Sequence, residues 1–152
     1  MAFSWPDVSV VIPHYNDADA LERVVAAVRA QDYAGEVEIV VADDGSAEPP
    51  KIEGVRVVRQ EDKGFRAAAA RNLGADAARG EVLAFLDADT VPEPGYLSAV
   101  VPHIVGDARA VVVGARRTGA EDKEPQWLID AWSATANLRD ACLLYTSPSP
   151  RD

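Results

Sequence analysis

A single cysteine, Cys142, leaves the chain without an internal disulfide, so nothing marks an oxidising compartment and a reducing cytoplasm is the expected setting. Positive charge is scarce too: 15 Lys and Arg against 25 Asp and Glu give a net charge of −10, which repels a nucleic-acid backbone. Long apolar runs are also missing. The opening MAFSWPDVSVVIPHYND has no basic leader and its apolar run is cut at Pro13, unlike a signal peptide. No window approaches the roughly 20 apolar residues of a membrane span. What is present is 48% hydrophobic and 26% charged, ordinary for a globular chain, and 152 residues suffice for one core but not for two ordinary domains.

The hydrophobic periodicity changes along the chain. Val8 to Ile12 (VSVVI) is a short β-branched run stopped by Pro13, the pattern of a buried strand. From Asp17 to Gln31, Leu21, Val24, Val25 and Val28 recur at helical spacing, with Asn16 or Asp17 as the cap. Val37 to Ala42 and Val55 to Arg59 read as further strands, Ala67 to Ala78 as an alanine-rich helix ended by Gly80, and Val82 to Leu86 as a fourth strand. Pro94 opens another helical stretch that Pro102 must bend or shorten, and Ala110 to Gly114 reads as a fifth strand. Apolar strands alternating with amphipathic helices predict an α/β fold: a Rossmann-like, mostly parallel sheet with helices on both faces. Beyond Gly114 lie a polar loop to Pro125 and a helical stretch from Gln126 to Leu144, in which Trp127 and Trp132 are expected to pack. Thr146 to Asp152 has two prolines and no apolar anchor and is expected to be disordered; the ending CLLYTSPSPRD resembles translated sequencing adapter.

Ligands of open parallel sheets bind outside the carboxyl ends of the strands. Pro13-His14-Tyr15-Asn16 follows the first predicted strand, Asp43-Asp44-Gly45-Ser46 the second and Asp87-Ala88-Asp89 the fourth. Two carboxylates one residue apart at the end of an apolar strand repel each other unless a cation accompanies them. In a strand-like segment Asp87 and Asp89 face the same way, and such a pair can share Mg2+ or Mn2+, which can in turn hold a diphosphate. Taken alone, a D-x-D or a DGS is usually a turn or cap; joint placement at one edge is what points to a site.

VSVVIPHYND, VEIVVADDGS and DKGFRAAAARNLGADAARGEVLAFLDADTVPEPGYL, in that order and spacing, resemble the nucleotide-binding half of family 2 glycosyltransferases with the GT-A fold. The resemblance covers about Val8 to Gly114 and implies a nucleotide-sugar-binding domain over 1–115, the start of an acceptor-side region over 116–145, and the tail over 146–152. It implies that Pro13, Tyr15 and Asn16 border the nucleotide, that Asp43 receives the ring N–H of the base, and that Asp44-Gly45-Ser46 shapes the adjoining loop. Gly64, Arg71 and Asn72 match the stretch beneath nucleotide and sugar, with Gly64 also conformational and Arg71 and Asn72 equally readable as an ion pair and a brace. Asp87 and Ala88 would face ribose and metal, and Asp89 would bind the metal. His14 is expected to be a solvated loop residue without chemistry, and His103 to be structural.

The implied activity is metal-dependent, inverting transfer from a nucleotide-diphosphate sugar, foremost a UDP-sugar, to an unknown acceptor, in the cytoplasm or at the inner face of the membrane. The family's general base lies in the acceptor half; Asp122, in the acidic pair Glu121-Asp122, is the one candidate, and the chain is expected to end before the base appears. Two rival readings accompany this one. The chain could be a non-catalytic nucleotide-binding remnant. Alternatively LAFLDADTV, which also fits the motif of haloacid-dehalogenase-like phosphatases, could make Asp87 a nucleophile, although here it follows the fourth strand rather than the first.

Overall fold

The computed structural model describes residues 3–107. The expectations for Ala110 to Gly114, Asp122, Trp127, Trp132 and the stretches 116–145 and 146–152 lie outside the described residues. Within them the order is β1 (Val8–His14), α1 (Ala18–Arg29), β2 (Val37–Asp43), β3 (Arg56–Arg59), α2 (Ala67–Ala77), β4 (Val82–Phe85) and α3 (Tyr96–Val100), followed by a 3-10 turn at Val101–His103. Among the described residues all strand pairs are parallel, in the spatial order β3-β2-β1-β4. The chain therefore builds outward from β1 through β2 to β3 and then returns across β1 to β4. Reversal of strand order beside β1 creates a crevice at the carboxyl edge.

Side-chain alternation sorts the sheet into two faces. Val8, Val10 and Ile12 of β1, Ile39 and Val41 of β2, and Val82 and Ala84 of β4 join Leu21, Val24, Val25 and Val28 of α1 and Leu97 and Val100 of α3 in one buried cluster. The helical face expected from spacing is the one buried. On the other face α2 lies close to the sheet: a Cβ at Gly74 would meet Val11 Cγ1 at 2.5 Å and Ala42 Cβ at 3.3 Å, and Ala70 is fully buried beside it. Helices thus cover both faces, as the Rossmann-like reading expects.

Two local expectations need correction. β1 does not stop at Pro13 but runs on to His14, with Pro13 opposite Ala42 and His14 opposite Asp43. The Val11 carbonyl accepts from Leu86 N, so by alternation the Pro13 nitrogen faces the β4 side beyond the last pair, where a missing N–H costs no ladder bond. Gly80 is not the helix stop: α2 ends at Ala77 with Ala78 extended, and Gly80 serves a close approach, since a Cβ there would sit 2.6 Å from Ser9 N. Pro102 shortens the third helix, which gives way to the 3-10 turn at Val101.

The amino-terminal end of the sheet is held by a polar knot. Buried Ser9 donates its hydroxyl to Glu38 Oε2 (2.6 Å) and accepts from Gly80 N (2.8 Å), while Glu38 also receives Arg79 N (2.9 Å) and Arg56 Nε (3.0 Å). Partial burial pushes the Glu38 carboxyl up, but the Ser9 hydroxyl, the Arg79 N–H and the Arg56 guanidinium together outweigh it and leave its pKa below the ordinary glutamate value. A lowered native pKa gives stability that is complete above the unfolded-state value of about 4.3 and is lost as the pH falls through the native value. Urea midpoints at pH 7 and pH 3.5 should therefore differ more for the wild type than for Glu38→Gln; equal differences would remove Glu38 from the acid sensitivity.

Candidate functional site

Because β1, β2 and β4 are parallel, the segments that leave their carboxyl ends meet at one edge. The first is anchored to the second by side chains. Asn16, in the left-handed region at φ 47°, donates its N–H to Ser46 Oγ (2.8 Å) and accepts Ala47 N on Oδ1 (2.9 Å). Asp17 caps α1 by accepting Ala20 N (3.1 Å). Tyr15 is 49% exposed and donates its hydroxyl to Asp62 Oδ2 (3.0 Å), and the Asp62 carboxylate raises the phenol pKa by that hydrogen bond and by its charge, holding Tyr15 as a protonated donor. Pro13 is half-buried beneath this loop.

Asp43 and Asp44 face opposite ways. Register sets His14, Asp43 and Arg59 side by side across three strands. Asp43 is fully buried, and its two oxygens receive His14 Nδ1 (3.0 Å), Ser46 Oγ (2.5 Å), Ser46 N (3.1 Å) and Arg59 Nε (3.3 Å). Asp43 has no exposed surface and acts as the post that holds the DDGS loop. Asp44 points to the α2 side, where it accepts Arg66 N at the start of α2 (2.8 Å) and the Gln60 side-chain amide. His14 departs equally from expectation: it is 4% exposed and engaged at both ring nitrogens, by Asp43 and by Asp17 N (3.2 Å).

The third segment leaves β4 at Phe85, and Thr90 N returns to the Asp87 carbonyl (2.9 Å), closing a turn. Period-two alternation does not extend into this turn, so a strand-like alignment of Asp87 with Asp89 is not its geometry. Asp87 is 58% exposed at its side chain and pairs with Arg71 of α2 at 2.5 Å. The accompanying cation is thus, in part, a guanidinium. Asp89 is exposed and accepts the Thr90 hydroxyl (3.2 Å), while Ala88 packs against the core beneath the turn. Asn72 is exposed beside Arg71.

Gly45 and Gly64 shape the intervening loop. A Cβ at Gly45, whose φ is 91°, would lie 2.4 Å from Asp62 N, so only glycine lets the DDGS loop seat against residue 62. Gly64, at φ 83° with open space around it, closes an Asx turn through its N–H to Asp62 Oδ1 (3.2 Å). Gln60, Asp62 and Arg66 were not singled out by sequence; the Asp62 to Gly64 spacing was the available signal. Arg66 Nε is the buried side-chain nitrogen without a partner among the described residues.

No group of three or more His, Cys, Asp or Glu side chains among the described residues could hold a metal by itself. Asp87 and Asp89 are hard oxygen donors at an open rim, which suits Mg2+ or Mn2+ shared with substrate phosphates better than a closed protein cage. No helix of the described residues is long and apolar enough to cross a membrane.

An open parallel sheet with an acidic rim at the point where its strand order reverses belongs to the α/β proteins that take ligands at that edge. A sequence profile described as glycosyl transferase family 2 matches residues 9–148, and the chain belongs to that family. It is similar to validoxylamine A glucosyltransferase of Streptomyces hygroscopicus subsp. jinggangensis, 38% identical over 129 residues, covering 79% of this chain and 31% of that protein. It is also similar to Escherichia coli chondroitin synthase, 33% identical over 118 residues, covering 72% of this chain and 17% of that protein. Among solved structures, S. aureus TarS 1-349 in complex with UDP superposes with a TM-score of 0.65 at 22% identity, covering 79% of this chain and 38% of that one. The mannosyltransferase PcManGT from Pyrobaculum calidifontis, in complex with GDP-Man and Mn2+, gives 0.60 at 25% identity, covering 75% and 36%. The fold is the GT-A α/β fold, and the chain spans about a third or less of the length of these two curated relatives.

Proposed function

We propose that the crevice binds a nucleoside-diphosphate sugar and that the protein to which this sequence belongs is a glycosyltransferase. The observation that carries the reading is the unpartnered, buried Nε of Arg66 at the start of α2, on the same side of the sheet as Asp44. A buried guanidinium nitrogen without an acceptor costs free energy, and a base carbonyl or a phosphate oxygen would satisfy it. Asp44, 5% exposed and partnered by Gln60 and Arg66 N, rather than the wholly buried Asp43, takes the ring N–H of the base; Pro13, Tyr15 and Asn16 border the base, and Gly64 gives the loop its turn. Arg71 holds Asp87 in place, and Asn72, exposed beside it, would face the sugar side.

Asp89, with Asp87, would hold a divalent ion together with the diphosphate. Such an ion, when bound, would offset the charge that grows on the leaving diphosphate. An acceptor hydroxyl oxygen forms its bond to the anomeric carbon as the bond from that carbon to the diphosphate oxygen breaks on the opposite face, inverting the centre. The hydroxyl proton passes to a carboxylate, for which Asp122 is the candidate. A phosphatase nucleophile at Asp87 is disfavoured, because Arg71 already occupies that carboxylate and the chain's family is a different one.

The test is calorimetric titration with UDP and GDP, with Mn2+ or with EDTA, beside hydrolysis of UDP-sugars. Binding at least about tenfold tighter with Mn2+ is expected, a difference of about 1.4 kcal/mol. Binding without any turnover would favour a donor-binding remnant, and no binding of either nucleotide would overturn the site.

A further inference from the structure

We propose that His14 is a positioning residue that sets the Tyr15-Asn16-Asp17 turn for nucleotide binding; this rests on the nucleotide reading above. The imidazole is 4% exposed and clamped from two elements. A backbone N–H can only donate, so the 3.2 Å contact from Asp17 N makes Nε2 the unprotonated nitrogen. The ring is therefore neutral, with its proton on Nδ1, and that proton goes to Asp43 Oδ1 at 3.0 Å.

Each bond belongs to a different part of the fold. Asp43 is the last residue of β2, held by Ser46 and Arg59, whereas Asp17 is the cap of α1. The imidazole thus fixes the span between the end of β2 and the start of α1. The two residues between His14 and Asp17, Tyr15 and Asn16, are those assigned to the nucleotide. Asn16 sits in the left-handed region, which a non-glycine residue keeps only when its surroundings hold it, and its other anchors, Ser46 Oγ and Ala47 N, belong to the loop that Asp43 organises. One ring in one tautomer therefore links the DDGS loop, the helix cap and the Tyr15 hydroxyl that reaches Asp62.

Three variants separate the two bonds. His14→Gln can place an acceptor where Nε2 stands and gives up the donor to Asp43; His14→Asn keeps a donor where Nδ1 stands and cannot reach Asp17; His14→Leu removes both. UDP affinity in Mn2+ and amide hydrogen exchange over residues 15–18 are measured well below each variant's Tm. His14→Leu is expected to weaken UDP roughly tenfold, the equivalent of one to two hydrogen bonds, and to speed exchange by a similar factor. His14→Gln should recover the protection at Asp17 and most of the affinity, which keeps the test decisive should His14→Leu fail to fold. Weakened UDP with unchanged exchange would overturn the proposal, because the ring would then be touching the nucleotide. Unchanged UDP in a folded His14→Leu or His14→Asn would overturn it as well, leaving only packing. A wild type that binds neither UDP nor GDP overturns the donor-site reading together with this inference, and the wild-type titration alone distinguishes that result from a failure of His14.

Discussion

Replacing Asp43 with alanine is expected to lower Tm by roughly 12 °C or more and, with it, to abolish nucleotide binding at 37 °C. The carboxylate is completely buried and takes four polar contacts from His14, Ser46 and Arg59. Truncation leaves the His14 Nδ1–H, the Ser46 N–H and the Ser46 hydroxyl without an acceptor in the interior, and removing one partner of such a buried network typically costs about 3–5 kcal/mol. Against a total stability on the order of 5–15 kcal/mol, that is a large share. Asp43→Asn should also destabilise, because its amide turns a donor toward donors. Thermal melts followed by circular dichroism check both variants. A Tm for Asp43→Ala within about 3 °C of the wild type would mean that the network is dispensable for folding.

Asp89→Asn is expected to behave in the opposite way, leaving Tm in place and removing the metal-dependent part of nucleotide binding. Its carboxylate is exposed and engages the neighbouring Thr90 hydroxyl, so folding gains little from it. If it ligates the ion that the diphosphate shares, the amide should weaken UDP binding in Mn2+ by about 10–100-fold and leave binding in EDTA unchanged. Asp87→Asn should have a smaller effect in Mn2+ and a measurable one in EDTA, because it also releases Arg71. Calorimetric titrations of each variant with and without the metal separate these outcomes. An undiminished gain from Mn2+ in Asp89→Asn would place the metal away from the turn at residues 87–90.

Much of the architecture was legible because its signals are local. Leu21, Val24, Val25 and Val28 mark the buried face of α1 by spacing alone, and the β-branched runs locate β1, β2 and β4 to within a residue or two. The same holds for a cap at Asn16 or Asp17, of which Asp17 is the one, and for a bend or shortening at Pro102, which proves to be a shortening. Parallel strands with helical crossovers then oblige the segments after β1, β2 and β4 to share one edge, so their convergence could be anticipated from the order of elements.

Which acid does what could not be read in the same way. Asp43 and Asp44 are neighbours in sequence, yet one turns toward His14 and Arg59 and has no exposed surface, while the other, 5% exposed, turns toward Gln60 and the start of α2. A solvated His14 was mistaken, because its buried partner Asp43 lies 29 positions away in sequence. The pairing of Asp87 with Arg71 and the close approach of Gly80 to Ser9 are likewise contacts between elements.

The sequence by itself determined the order of elements, the helix face that is buried and the edge at which the polar loops gather, since these follow from residue-by-residue periodicity and the handed geometry of the backbone. Tertiary structure alone decided which carboxylates are consumed by internal hydrogen bonds and which remain open to a ligand. That division depends on what each side chain meets across the sheet, and a buried acid's free capacity is set by partners tens of residues away.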